Sequence, residues 1–107
     1  MTNFVDVCAL SDINLDTDVC ALVDGKQVAI FRPAASGELF AIDNYDPIGK
    51  ANVLSRGLVS DVKGHLTVAS PLYKQHYCLA DGRCLEEDVS IPTYQVKLEG
   101  ERVLVAV

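Results

Sequence analysis

Apolar and polar residues alternate along most of this 107-residue chain, and turn residues interrupt the alternation every ~8 to 12 positions. Successive side chains of a β-strand point to opposite faces, so a period of two indicates half-buried strands. The period of about 3.6 residues that marks a helix is nearly absent. The sequence therefore predicts an all-β domain of about nine or ten short strands, as an antiparallel sandwich or a partly closed barrel.

Glycine-containing dipeptides mark the predicted hairpins: Asp24-Gly25, Lys63-Gly64 and Glu99-Gly100. Glycine supplies the positive φ that tight hairpin turns need. "ADG", residues 80–82, predicts one more turn, between "HYCL" and "RCLE", with Gly82 at the positive φ. The segment 44–53 is predicted to be an irregular loop, and loops on a rigid β scaffold are where binding sites usually lie.

Length and composition narrow the class of protein. The chain is the size of one domain, so residues 1–107 are predicted to share a single core. A formal charge of -6 opposes binding to nucleic acid, because that binding needs Lys and Arg against phosphate. The sequence has neither an N-terminal signal pattern nor an apolar run long enough to span a membrane. We expect a cytoplasmic protein that does not bind membranes and whose four cysteines are reduced.

The stretch "SPLYKQHYCLADGRC", residues 70–84, raises the question of a metal site formed by His76, Cys78 and Cys84. Structural zinc needs four ligands, and its cysteine pairs are commonly two to four residues apart. Here five residues separate the cysteines, and no second pair follows. The hairpin explains the same residues, so we predict buried or half-buried thiols and no metal. No nucleophile pattern is present, and the chain is predicted to hold no catalytic residues.

Four stretches, in the order "ELFAIDNYDPIG", "LSRGLV", "ASPLYKQHYCLADGRCLE" and "IPTYQVKLEGERVLV", resemble the Rieske ferredoxin-like domain over nearly the whole chain. Such a domain holds a two-iron cluster through a Cys and a His on each of two loops. The resemblance puts Asp46 and Ile48 at the Cys and His positions of the first loop, and Ser70 and Tyr73 at those of the second. None has a thiolate or imidazole, which implies that the cluster is missing.

The phrases "VLSRGLV" and "VASPLYKQHY" further resemble the small subunits of cytoplasmic NAD(P)H-dependent nitrite reductases. That resemblance implies a large-subunit partner that carries FAD, an iron-sulfur cluster and sirohaem, binds NAD(P)H, and reduces nitrite to ammonium in nitrate assimilation. This chain would then be a non-catalytic subunit that binds or stabilises the large one, with no cofactor of its own.

Because Rieske domains dock through the cluster end, the resemblance implies an interface at the tip formed by the two loops. Its candidate residues are Tyr45, Pro47, Ile48, Tyr73, Lys74 and Gln75. Ile48 and Tyr73 are either anchors for the partner or core residues that fill the vacated cluster space, and both roles are compatible. Two other functions remain open: an electron-carrying ferredoxin with Cys78, Cys84 and His76 as ligands, and an accessory module of another oxygenase or reductase.

Overall fold

The computed structural model describes residues 4–14, 18–33, 38–62, 64–72 and 74–106. This part of the chain forms eleven strands: β1 Phe4–Ala9, β2 Asp18–Val23, β3 Lys26–Phe31, β4 Phe40–Asp43, β5 Tyr45–Asp46, β6 Ala51–Asn52, β7 Leu58–Val62, β8 His65–Ala69, β9 His76–Cys78, β10 Thr93–Glu99 and β11 Arg102–Ala106. Single 3-10 turns lie at Leu10–Asp12 and Leu54–Arg56. The all-β prediction is confirmed. The count exceeds nine or ten because the loop 44–53 contains the two-residue strands β5 and β6.

The strands form three antiparallel sheets. The largest has the order β1-β11-β10-β4-β3-β2, and its edge strands β1 and β2 approach each other, so this sheet is a nearly closed barrel. A second sheet has the order β7-β8-β9, and β5 pairs with β6 alone. The prediction of a partly closed barrel is therefore confirmed. No helix in the described residues is long and apolar enough to cross a membrane.

Strands β3 and β4 are buried on both faces because they separate two apolar clusters, whereas the sequence predicted a single core. Val28 and Ile30 of β3 face the barrel interior together with Val103 and Val105 of β11. The alternate β3 residues, Ala29 and Phe31, face the second cluster, whose other buried members are Ile42, Leu54, Val68, Tyr77, Leu79, Cys84 and Ile91. A strand between two apolar layers needs no polar face, which explains the unbroken apolar run "VAIF". The second cluster lies beneath the two loops that the sequence singled out.

Each predicted glycine turn that is described is present, but the last of them is shifted by one residue. Asp24 and Gly25 both have positive φ, 51° and 80°, and join β2 to β3. Gly64 has φ 86° between β7 and β8, whereas Lys63 lies outside the described residues. In the last hairpin Glu99 pairs with Arg102, so the turn residues are Gly100 and Glu101 instead of Glu99 and Gly100.

The predicted strand "RCLE" is only partly formed. Gly82 does adopt a positive φ of 78°, but the chain beyond it makes only isolated bridges, one of them between Tyr77 and Cys84. The amide of Cys84 donates to the carbonyl of Val89, and that of Ile91 donates to Gly82 (both 2.9 Å). Next to the turn the hairpin does pair, since the amide of Cys78 donates to the carbonyl of Arg83 (2.8 Å) and the amide of Leu85 donates to that of His76 (2.9 Å). The bonds of Cys84 and Ile91 fold segment 82–91 back on itself, so the pairing does not extend into a regular ladder.

Candidate functional site

The two loops that correspond to the cluster loops of a Rieske domain begin with the same backbone turn. In the first loop the amide of Lys50 donates to the carbonyl of Asp46 (2.6 Å), and in the second the amide of Lys74 donates to that of Ser70 (2.9 Å). Both lysines have positive φ, 56° and 62°. The Ser70 hydroxyl also accepts the amide of Leu72 at 3.3 Å. Asp46 and Ser70, the two former cysteine positions, therefore occupy equivalent places in matching turns.

The carboxylate of Asp46 joins the two loops directly. Asp46 is fully buried, and its Oδ2 accepts the Ser70 hydroxyl at 2.5 Å. Its Oδ1 accepts the Tyr77 hydroxyl at 2.8 Å and the amide of Ile48 at 3.0 Å. The amide of Gly49 is a further hydrogen-bond donor to this carboxylate. Four donors surround one carboxylate, which has about four lone-pair sites, so its accepting capacity is filled.

The electrostatics of this cluster favour a charged Asp46. Burial raises the pKa of its carboxyl, but the hydrogen bonds from Ser70, Tyr77 and two backbone amides outweigh burial and hold the pKa below its ordinary value. Burial and the neighbouring carboxylate raise the pKa of Tyr77 well above its ordinary value. Tyr77 is thus a neutral hydrogen-bond donor beside a carboxylate that is charged at neutral pH, which is a stable arrangement.

A buried asparagine holds the first loop on the barrel. The side chain of Asn44 donates to Gln27 Oε1 (3.1 Å) and accepts the amide of Ser55 (2.7 Å). Its backbone completes the attachment, since the amide of Asn44 donates to the Gln27 carbonyl and its carbonyl accepts the amide of Leu54. Gly49 lies where the loops meet, and a Cβ there would lie 2.4 Å from Leu72 and 2.9 Å from Asp46. Both loops are therefore closely packed at this end of the domain.

The donor set does not fit a Rieske cluster. Of the four ligand positions, Asp46 and Ser70 hydrogen-bond to each other, and the side chain of Ile48 has no atom that could coordinate iron. The fourth position, Tyr73, lies outside the described residues. A two-iron cluster of this type needs thiolates on one iron and imidazoles on the other. The three described positions offer neither.

The alternative ligands do not converge either. Cys78 and Cys84 are buried free thiols. Cys84 Sγ contacts Glu86 Oε1 at 3.8 Å, and His76 pairs with Glu86 through Nδ1 at 2.7 Å. Among the described residues no three His, Cys, Asp or Glu side chains are grouped closely enough to hold a metal ion. The prediction of buried thiols is confirmed for both cysteines.

The candidate interface residues differ in exposure. Tyr45 (41% exposed) and Lys74 are at the surface, whereas Pro47, Ile48 and Gln75 are half-buried. Tyr73, also a candidate, lies outside the described residues. Ile48 packs against the apolar cluster beneath the loops, which matches its role as a core residue. Gln75 Oε1 is buried and has no hydrogen-bond partner in the described part of the chain.

Comparison with known proteins identifies the family. The family model of the Rieske-like [2Fe-2S] domain matches residues 3–106. The small subunit of nitrite reductase (NADH) from Escherichia coli strain K12 is 47% identical over 100 residues, which cover 92% of this chain and 93% of the relative. The chain belongs to the Rieske-like nitrite reductase small-subunit family. The NMR structure of the Escherichia coli protein NirD, 44% identical, superposes with a TM-score of 0.91 over 100% of this chain and 98% of that one.

Two other relatives of this small-subunit family member bear on its role. A nitrite reductase [NAD(P)H] large subunit from Klebsiella oxytoca is 39% identical over 100 residues, which cover 92% of this chain and 10% of that subunit. The ferredoxin component of the naphthalene 1,2-dioxygenase system from Pseudomonas aeruginosa is 31% identical and covers 95% of this chain and 93% of its own length. Sequences similar to this chain therefore occur both within a nitrite reductase large subunit and as the ferredoxin component of a dioxygenase system.

Sequence reasoning missed two side chains of this family member's site, Tyr77 and Asn44. Tyr77 alternates with His76 and Cys78 in β9, and both Tyr77 and Cys78 are buried, so alternation alone did not show which face of this strand lies inward. A buried tyrosine usually finds a partner for its hydroxyl, and that rule pointed to a nearby acceptor. The identity of that acceptor, Asp46, depends on bringing β9 into contact with a loop residue 31 positions earlier, which the sequence pattern does not encode.

Proposed function

We propose that the chain is a cluster-free, non-catalytic small subunit that binds and stabilises the large subunit of an NAD(P)H-dependent nitrite reductase. The observation that carries this proposal is the hydrogen bond between Asp46 and Ser70. It joins the two loops at the positions where a Rieske domain would place its cysteines, so the loops keep their arrangement without iron. A Rieske-like domain without an electron-carrying cluster can still bind a partner protein through its surface.

The relative from Klebsiella oxytoca supports the choice of partner. There a segment similar to this chain is part of a polypeptide named as the large subunit. A covalent link supplies a high effective concentration between two parts that work together. We propose that the present chain makes the same association without the link, through its folded surface.

The chemistry of the complex is assigned to the large subunit. The family resemblance implies that FAD, an iron-sulfur cluster and sirohaem are held there, so nitrite reduction needs no catalytic residue from this chain. We also propose one domain for residues 1–107, supported by the family match to residues 3–106. A cytoplasmic location is supported by four free cysteines, since thiols stay reduced in that compartment.

Binding to the purified large subunit tests the proposal. We expect a one-to-one complex by calorimetry, and a higher melting temperature of the large subunit when the chain is present, because a ligand that binds only the folded state stabilises it. The large subunit should lose its nitrite-dependent NAD(P)H oxidation activity more slowly over time in the complex than alone. The naphthalene dioxygenase ferredoxin, which shares the domain type, is the control. Failure to bind, or equal stabilisation by that ferredoxin, would contradict the proposal.

A further inference from the structure

The charge of this acidic chain is unevenly distributed. Residues 44–80, which include both loops and the sheet β7-β8-β9, hold four basic residues (Lys50, Arg56, Lys63, Lys74) against Asp46 and Asp61. The rest of the chain holds five Lys or Arg against thirteen Asp or Glu. Asp46 is buried and hydrogen-bonded, so the charge at the surface of this region is more positive than the net charge counted from its sequence. Glu86, from outside this segment, also lies beside it, where it pairs with His76. An acidic partner surface would be attracted more to this region than to the remainder.

An apolar groove lies within this positive region. In the three-stranded sheet Leu58 pairs with Ala69, and Ala69 pairs with His76, so these three side chains form a row across one face. Ala69 is the smallest of the three and lies between the two larger ones, which leaves a depression above it. The resulting groove has a volume of about 410 Å³ and a mostly apolar lining, to which Pro71 and Lys74 also contribute.

Glycine at position 57 shapes the wall of the groove. A Cβ on Gly57 would lie 2.3 Å from the carbonyl oxygen of Ala69 and 2.7 Å from Val68. The absence of a side chain lets β7 begin close against β8, with Arg56 and Leu58 on either side of the glycine. Leu58 is 77% exposed on the edge strand β7. A large apolar side chain is therefore presented to solvent beside unpaired strand edges.

The two cations at the groove are available to a partner. Arg56 and Lys74 both line the groove and are exposed, and neither forms an ion pair with any described residue. His76, by contrast, already pairs with Glu86. An apolar floor flanked by two unpaired cations is complementary to an apolar side chain that has carboxylates beside it.

We infer that this groove, with Leu58, Ala69 and Pro71 as its apolar surface and Arg56 and Lys74 as its cations, is where an acidic segment of the large subunit inserts an apolar side chain. The inference rests on the proposed function and locates its interface. The groove shares Ser70, Pro71 and Lys74 with the second loop, so it extends the tip sideways onto the three-stranded sheet. The inferred contact places the partner's inserted side chain beside Leu58, away from the half-buried Ile48.

The test is affinity for the purified large subunit, measured by calorimetry with full-length variants. Leu58→Glu puts a carboxylate into the groove, and we expect binding at least about tenfold weaker, as for loss of a central apolar contact. Leu98→Glu is the matched control, because it adds the same charge at another exposed leucine. Leu98 is 46% exposed on β10, where it pairs with Val103 of β11. We expect it to bind within about twofold of the wild type.

A second pair of variants tests the charges. Arg56→Glu should weaken binding several-fold and reduce its salt dependence, because it removes a cation that faces carboxylates. Lys26→Glu, at the exposed first position of β3, changes the net charge equally and should leave affinity nearly unchanged. Ala69→Leu fills the groove without altering charge and should also weaken binding. Thermal melting of each variant separates lost binding from lost folding.

The outcomes distinguish the inference from the function on which it rests. If the wild type does not bind the large subunit, both fail. If the wild type binds and folded Leu58→Glu and Arg56→Glu bind equally well, the groove is not the interface although the proposed function stands. If Leu58→Glu instead converts an oligomer of this chain into monomers without changing affinity for the large subunit, the groove joins two copies of the chain and the inference is wrong.

Discussion

Replacing Asp46 by alanine is expected to lower the free energy of unfolding by about 3–5 kcal/mol. The substitution leaves the hydroxyls of Ser70 and Tyr77 and the amide of Ile48 without their acceptor in a buried site. Each buried donor without a partner costs about 1–3 kcal/mol. Urea denaturation at neutral pH measures the loss. Asp88→Ala, at an exposed position, is the control and should change stability by no more than about 0.5 kcal/mol.

The Asp46 carboxylate also determines how the stability of the domain should change with pH. The pKa of Asp46 is lower in the folded chain than the value of about 4 expected when unfolded. The contribution of Asp46 to stability is therefore complete when the pH is above its pKa in the unfolded chain. That contribution is lost as the pH falls through its pKa in the folded chain. Below about pH 4 the wild type should lose stability more steeply than Asp46→Asn, which cannot titrate there. Parallel pH profiles for the two proteins, or a fully stable Asp46→Ala, would contradict the role assigned to this side chain.

Replacing Gly82 by alanine should destabilise the domain by about 3–5 kcal/mol. Gly82 has φ 78°, and a Cβ there would lie 2.1 Å from the carbonyl oxygen of Ile91. That carbonyl belongs to the backbone, and the amide of Ile91 donates to Gly82, so neither group moves without breaking the folded segment 82–91. Valine, which is β-branched, should be worse. Melting temperature and urea midpoint measure both variants.

Gly64 provides the matched control for this prediction. Its φ of 86° is similar, but a Cβ there would meet nothing within 4 Å. Gly64→Ala should therefore show only the backbone strain, about 1–2 kcal/mol. The difference between the two alanine variants isolates the steric contact with Ile91. Equal effects at the two positions would mean that the backbone near Ile91 yields easily and that segment 82–91 is less rigid than its hydrogen bonds indicate.

Local sequence signals predicted the parts of the fold that depend on local chemistry. Asp24-Gly25 and Gly82 adopt the positive φ values that their residue types favour. Two-residue periodicity also placed Val103 and Val105 on one buried face. Val107, predicted on the same face, lies outside the described residues. Such features depend on neighbours in sequence, which is why a single chain is enough to predict them.

Contacts between distant segments were beyond the sequence pattern. The resemblance to Rieske domains located Asp46 and Ser70 at ligand positions, but the hydrogen bond between them appears only when the loops, 24 residues apart, are packed together. The row formed by Leu58, Ala69 and His76 likewise depends on the register of two strand pairs. The predicted strand "RCLE" pairs with β9 only next to the turn, because part of the chain beyond Gly82 forms hydrogen bonds within its own loop.

The iron and zinc content of the anaerobically purified chain, measured together with its visible absorption spectrum, shows whether this domain holds a cluster. We expect neither metal in stoichiometric amount and no visible bands, because Asp46, Ile48 and Ser70 supply no thiolate or imidazole at the ligand positions. Iron at about two atoms per chain with the absorption of a [2Fe-2S] centre would contradict it and make the protein an electron carrier.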